Sequence, residues 1–235
     1  MQNTISCKNC HMENPIYGMI CKNCKAYLRE KIFNIDLWPT LGLLVENPRK
    51  GFNLIIQAEH KNFIFFISFF AAFKFLIDSM FISLAESKQE PVFGNFIKNY
   101  FIEAGTLFLI VLLFSLIFKL VTNNFGVSTR IKDNFSILVY SMFPHVLGGI
   151  LLFVVELTIF GGNVFSNNPS PFQLKEFLAY TLLLFEGMIV LWSMFLSFMA
   201  VLSQTRDILY SVISAIIFNF VLYYCIYLNS HFLFN

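Results

Sequence analysis

The sequence predicts an all-α polytopic membrane bundle of five transmembrane helices, preceded by a small ribbon built on four cysteines. Three observations predict it. Hydrophobic residues make up 57% of the chain and charged ones only 13%, against about 45–50% and about 25% in soluble domains. Five stretches reach the roughly 20 apolar residues that a helix needs to cross a bilayer. Ahead of them lies a polar N-terminus that holds four of the five cysteines. The 31 phenylalanines fit a lipid-facing surface, and a net charge of +2 is too small to point to nucleic acid.

Residues 4–26 carry the spacing Cys7-x2-Cys10-x10-Cys21-x2-Cys24, with both pairs written CKNC. Zinc takes four thiolates tetrahedrally at about 2.3 Å, and each C-x-x-C turn delivers two of them from one knuckle. Lys8 and Lys22 lie inside the knuckles, where they offset the negative charge of a metal–thiolate centre. Asn14, Pro15 and Gly18 punctuate the link as turn residues do. These residues predict a zinc ribbon with a structural Zn2+ on Cys7, Cys10, Cys21 and Cys24. A redox pair would need a thioredoxin-like βαβ pattern around one C-x-x-C, and none surrounds these. His11 is expected to be a bystander, and a closed four-sulfur site leaves no open position for catalysis. So small a module buries little core, so the metal would supply most of its folding energy.

Residues 27–61 form the connector. Arg29, Glu30 and Lys31 suit a short linker helix or an extended arm. Leu37 to Val45 is too short to span and is interrupted by Pro39 and Gly42. Asn47-Pro48 is a helix start, a cap residue followed by proline at the first helical position. Beyond it, Phe52, Ile55 and Ile56 share one face opposite Lys50, Gln57 and Lys61. That pattern predicts an amphipathic helix lying in the membrane interface. Glu59 falls on the apolar face, and a cytosolic helix packed on the ribbon is the alternative.

The run LLVENPRKGFNLIIQAEHKNF leads directly into an apolar helix, and Tyr140-Ser-Met-Phe-Pro144 lies in the third span. In these runs, and in span number and spacing over about residues 36–230, the chain resembles the Yip domain family of Ypt-interacting proteins. The resemblance implies a polar cytosolic N-terminus, five membrane helices and non-enzymatic work in membrane organisation or transport. A ribbon ahead of such a domain is similar to the prokaryotic members. Asp36-Leu-Trp-Pro39 echoes the Asp-Leu-Tyr-Gly-Pro motif of the eukaryotic ones, but it lacks the Gly and precedes the first span. GTPase binding is therefore not carried over.

The membrane domain, 62–230, is expected to hold spans at about 62–84, 99–121, 134–160, 177–202 and 208–229. Of the 16 Lys and Arg, eight precede the first span. Lys119, Arg130, Lys132 and Arg206 flank the second and fourth connections, and only Lys88, Lys98 and Lys175 lie on the other side. The positive-inside rule then puts the N-terminus in the cytosol and the C-terminus outside, and the similarity to prokaryotic members implies a bacterial inner membrane. The reducing cytosol disfavours disulfides among the four cysteines. No signal peptide is expected, because the first long apolar run begins near Asn62, and Gln2 replaces the Gly that myristoylation needs.

A charge at the centre of a membrane helix costs roughly 2.5–3.5 kcal/mol on insertion scales, so ionisable residues in spans are expected to face protein. Lys74 and Asp78 are four apart and can neutralise one another. In the third span Ser141, His145, Gly148, Leu152 and Glu156 share one face, and Pro144 removes the hydrogen bond its N–H would give Tyr140. Ala179, Glu186, Ser193 and Ala200, with Ser197, make a seam on the fourth span, and Ser211, Ala215 and Asn219 one on the fifth. Lys74, Asp78, His145, Glu156 and Glu186 are thus a candidate intramembrane polar cluster. Glu103 is expected in water at the outer end of the second span. Tyr223, Tyr224 and Tyr227 suit an aromatic belt, Cys225 an inert buried thiol, and His231 a solvated tail.

Two functions compete. One is a membrane adaptor or organiser that presents the ribbon to a protein partner in the cytosol or the membrane. The other is a small transporter or channel using the intramembrane charges, although no internal repeat is visible and a dimer would have to supply the symmetry. An enzyme is not expected, since the spans hold no H-E-x-x-H, Gly-x-Ser-x-Gly or paired-Asp motif. The lipid bilayer is a partner, a homo-oligomer is left open, and nucleic acid is not expected.

Overall fold

A computed structural model describes residues 3–29, 34–87 and 95–234. Glu30, Lys31 and Lys88, which entered the linker reading and the charge count, lie outside the described residues. The N-terminal module is a two-stranded antiparallel hairpin, β1 (Thr4–Ser6) and β2 (Glu13–Pro15), with Ile5 opposite Asn14. A single rung between Ile20 and Tyr27 makes a second pairing. Each pairing brackets one CKNC turn. The interior is small: Cys7, Cys21 and Leu28 are buried, with Ile5 and Ala26 against them.

Two short helices follow, α1 (Leu37–Glu46) and α2 (Pro48–Gln57). Pro39 and Gly42 do not break the first. Pro39 sits in the first turn, where its missing N–H has no helical partner to lose. Gly42 costs about 1 kcal/mol relative to Ala, and the burial of Leu41 and Leu44 offsets it. Asn47 ends one helix and starts the next. Its N–H donates to Leu43 O at 2.8 Å, and its side chain accepts the Lys50 N–H at 3.1 Å. The two helices approach closely at Gly51, where a Cβ would meet Leu44 Cδ2 at 2.9 Å. The amphipathic second helix forms where expected, but its apolar face does not rest on lipid. Phe52, Ile55 and Ile56 are fully buried, and the helix packs on α1 and on α5 (Ile131–Ser141). It also ends before Glu59, which is why that acid never meets the apolar face.

The remaining helices are α3 (Ile64–Ser87), α4 (Phe96–Asn124), α9 (Glu176–Thr205) and α10 (Ile208–Phe234). Between α5 and α9 the chain is segmented into α6 (Phe143–Leu147), a π-turn (Gly148–Leu152), α7 (Phe153–Phe160), a 3-10 turn (Gly161–Phe165) and α8 (Pro171–Leu174). Five stretches have the length and composition to cross a bilayer, Ile64–Glu86, Phe96–Asn124, Phe143–Phe165, Glu176–Thr205 and Ile208–Phe234. The chain is an integral membrane protein by that measure. The third span starts later than expected from 134, because the chain turns at Met142. Pro144 cannot bond Tyr140, and His145 N–H bonds Met142 O at 3.0 Å instead. The π-turn closes when Phe153 N–H reaches back to Gly148 O.

The chain divides into two compact units. One comprises Met1–Phe65, Val111–Ser141 and Phe195–Ile217, and the other Phe66–Ile110, Met142–Met194 and Phe218–Asn235. The first contains the ribbon, α1, α2 and α5. The second has an apolar core that includes Ile77, Phe153, Phe160 and Leu182.

Candidate metal centre and intramembrane cluster

The four N-terminal sulfurs converge. All lie within 4.8 Å of one another, with Cys7 Sγ 3.6 Å from Cys24 Sγ and Cys10 Sγ 3.5 Å from Cys21 Sγ. The two knuckles are built alike. Cys7 N–H donates to Met12 O and His11 N–H to Cys7 O. Cys21 N–H donates to Ala26 O and Lys25 N–H to Cys21 O in the same pattern. Both turns close through a left-handed residue, His11 at φ 56° and Lys25 at φ 61°, a conformation that costs about 1–3 kcal/mol without glycine. Such a turn aims two sulfurs to one side. Backbone N–H groups of Cys24 and Asn23, with the Asn14 amide, hold the Cys21 thiol down at about 6. The Ala26 N–H lowers Cys24 in the same way. Four close sulfurs, two of them biased toward thiolate, can hold one metal ion.

The ribbon is fastened to the helices of its unit through the C-terminal end of α2. The last carbonyls of a helix are unpaired and carry partial negative charge. Three cations converge on them. Arg29, from the ribbon, donates to Gln57 O at 3.0 Å and also to Ile16 O at 2.6 Å and Gly18 O at 3.1 Å. Lys61 donates to Ile55 O, Ile56 O and Ala58 O. Arg130 donates to Ile56 O at 3.3 Å. Asp133, fully buried, neutralises two of them, 2.8 Å from Lys61 Nζ and 2.6 Å from Arg130 Nε. Burial pushes the Lys61 ammonium down to about 8 despite that partner. The Arg130 guanidinium lies 4.5 Å from the centre of the Tyr17 ring, a cation–π contact back to the ribbon.

A second polar chain runs beside the first. Asn3 donates to Gln204 O, and Gln204 Nε2 donates to Asn134 Oδ1 at 3.1 Å. Asn134 Nδ2 donates to Ser115 O at 3.3 Å and to Thr129 Oγ1 at 3.1 Å. The ribbon N-terminus is thereby tied to α9, α5 and α4. Arg29→Ala is expected to release the ribbon from α2 while leaving the four-cysteine site able to hold a metal. Limited proteolysis of the native protein between Tyr27 and Leu37 should quicken roughly tenfold, the equivalent of about 1.4 kcal/mol of docking, and metal analysis should read unchanged.

The second unit holds the intramembrane residues. Lys74, 1% exposed, forms ion pairs with Asp78 on its own helix and with Glu186 of α9, the latter at 2.9 Å. Its aliphatic stem lies on the π-turn, where a Cβ on Gly148 would meet Ile189 Cδ1 at 2.8 Å and Lys74 Cε at 3.2 Å, and one on Gly149 would meet Lys74 Cβ at 3.4 Å. Glycine at 148 makes room for both Ile189 and the lysine. Glu156 is buried, and its Oε2 and Glu186 Oε1 have no hydrogen-bond partner among the described residues. His145 takes a different neighbour. Its Nε2 is 2.9 Å from Tyr223 Oη, and its ring packs on Phe75 at 4.8 Å.

Several expectations change. Tyr223 turns inward to His145 and so leaves the aromatic belt. Glu103 is not in water: it is 2% exposed, and Asn229 Nδ2 donates to its Oε2 at 2.7 Å. His231 is no loose tail residue, since α10 continues through it and its Nε2 lies 2.9 Å from Glu86 Oε2. Arg29, Lys61, Arg130, Asp133, Asn134 and Gln204 were not singled out by the sequence as a group. No protein-family model, curated protein or solved structure matches the chain. Its class is thus defined by its own architecture, an integral membrane protein with five apolar helices and an N-terminal four-cysteine module.

Proposed function

We propose that the protein is a membrane adaptor or organiser whose zinc ribbon is held in a fixed place on the helices for a protein partner to bind. The fastening at α2 carries this reading. A ribbon on a free tether needs only a linker. This one is bonded through Arg29, Tyr17 and Asn3 to three separate helical elements or loops of its unit. A load on the ribbon therefore reaches the membrane helices.

Zinc suits the site. A tetrahedron with bonds of about 2.3 Å has sulfur–sulfur edges of about 3.8 Å, and the cysteines are at 3.5 and 3.6 Å across two of theirs. Soft thiolates favour zinc over calcium or magnesium. When bound, the metal would crosslink the two knuckles, and Cys7, Cys10, Cys21 and Cys24 would hold it without an open position. The contact surface for a partner would be the ribbon's exposed apolar side chains, Met12, Ile20 and Tyr27. Beside Ile20 a cleft of about 410 Å³ opens between the ribbon and Gln57, Glu59 and Arg130. The charge distribution supports a cytosolic N-terminus, and the Yip domain resemblance, which is to ribbon-bearing prokaryotic members, accords with a bacterial inner membrane and an organising role.

The test is crosslinked affinity capture from native membranes with the full chain, with Ile20→Ser/Tyr27→Ser, and with residues 1–35 removed. The adaptor reading expects a specific partner with the full chain, lost in both variants while the double variant keeps its metal. Equal capture by the ribbon-less chain would sink it. A second reading, a small transporter or channel, is favoured by the ion-paired Lys74 and the two unpartnered carboxylate oxygens nearby in the fold of the same unit. Proteoliposome flux of Na+, K+ or protons that Glu186→Gln abolishes would support it, and flux equal to that of empty liposomes would remove it.

A further inference from the structure

We infer that α1, rather than α2, is the element that rests on the membrane surface, with Trp38 as its anchor among the lipid headgroups. Its sequence, LWPTLGLLVE, has no ionisable residue before Glu46. One face is spent inside the protein, where Thr40, Leu41 and Leu44 are buried. The opposite face is apolar as well. Trp38 is 79% exposed and Val45 54%, with Gly42 between them at helical spacing. A ten-residue helix is about 15 Å long and cannot span a bilayer. A helix apolar on both faces therefore needs a second apolar neighbour.

The fold ties it to the start of a membrane helix. Asn62 Nδ2 donates to Ile35 O at 3.5 Å, and Tyr140 Oη donates to Asn62 O at 2.7 Å. The entry to α1 is thus tied to the residue two positions before the first membrane helix, which starts at Ile64. Phe63 and Phe65 are exposed at that level, Phe65 at 87%. Trp38 is exposed three residues beyond Ile35, and indole rings settle at the boundary of hydrocarbon and headgroup. Arg49 and Lys50, exposed just beyond the end of α1, are positioned for headgroup phosphates. The hydrophobic residues of α2, which carry the stronger amphipathic pattern, are already covered by protein and are not available for this role. Contact with the bilayer at α1 would also hold the docking site of the ribbon close to the membrane surface.

Depth-resolved quenching tests it in the full chain. The protein has two tryptophans, so Trp192→Phe leaves Trp38 alone. The variant is reconstituted in nanodiscs of phosphatidylcholine and phosphatidylglycerol, with bromine on the acyl chains either near the headgroup or near the chain end. Trp38 is expected to lose on the order of half its emission to the shallow bromines, as a ring about 5–10 Å inside the boundary must. It should lose less to the deep ones and resist aqueous iodide. If Trp192→Phe does not fold, the difference between wild type and Trp38→Phe reports the same signal. Quenching by iodide with indifference to brominated lipid would place α1 in water. Indifference to both quenchers would place protein over Trp38, such as a second copy of the chain. Either result overturns the inference.

Discussion

Under the proposed role as a zinc-ribbon adaptor, Cys21→Ser is expected to abolish metal binding, ribbon folding and partner capture while the membrane helices remain inserted. The reasoning starts from how little else holds the ribbon together. Its core cluster is only Cys7, Cys21 and Leu28, and its strands are three residues each. Structural zinc contributes on the order of 10–16 kcal/mol in modules of this size, more than such a core can. Cys21 is also the best-placed single donor to remove. It is fully buried, it accepts the Asn14 amide at 3.5 Å, and its own N–H and C=O close the second knuckle. Metal analysis of purified protein should fall from one ion per chain to none, and amides of residues 4–28 should exchange with solvent within the dead time. Membrane extraction should be unchanged, because no apolar span touches the mutation. His11→Ala should leave all of this intact, since His11 supplies the backbone turn and no ligand atom. A chelator should reproduce Cys21→Ser, and so should acid, because each thiolate must be free of its proton to bind. One ion per chain retained by Cys21→Ser would mean that the donors lie elsewhere.

The features that a sequence displays locally were the legible ones. The cysteine spacing is a short-range pattern whose geometry is fixed by two tight turns, and the structure brings all four sulfurs together. The five apolar stretches are legible for the same reason, as are the small-residue seams: Ser193, Ser197 and Ala200 on one helix and Ser211, Ala215 and Asn219 on another are all buried. What could not be read was the identity of the covering neighbour. Phe52, Ile55 and Ile56 announce an apolar face, but periodicity is the same whether lipid or α5 covers it. Glu103 near a helix end looks wet until Asn229, far along the chain, is found beside it. The fastening of the ribbon is the extreme case. Arg29, Lys61 and Arg130 come from three separate stretches, and their shared target is a set of backbone carbonyls that no side-chain pattern encodes. Asn134 heads what looked like a continuous span, but it lies buried in a polar network, and the chain turns at Met142 before the apolar stretch begins at Phe143.

Lys74→Met is expected to destabilise the second unit by about 3–5 kcal/mol, the cost of removing one partner from a buried ion pair. Methionine keeps the length of the lysine stem, so the packing on Gly148 and Gly149 survives and the change isolates the charge. What is left behind is Asp78 and Glu186 with their shared cation gone, in a helix pair from which the lysine was almost wholly excluded from solvent. Glu186 Oε1 already lacks a hydrogen-bond partner among the described residues, so losing Lys74 removes the ion pair that holds the carboxylate's other oxygen. Unfolding in mixed micelles titrated with SDS measures the loss. The triple variant Lys74→Met/Asp78→Leu/Glu186→Leu should recover most of it, because a buried ion pair replaced by apolar residues of similar volume is often neutral or better. That comparison also separates the two functional readings. A structural cluster loses stability in the single variant and regains it in the triple, with ribbon-dependent partner capture intact throughout. A transport site behaves differently: the triple variant would fold well and still lose all flux. Lys74→Met with wild-type stability would mean that water or ions reach these carboxylates from outside, and the balance would then shift toward the transporter.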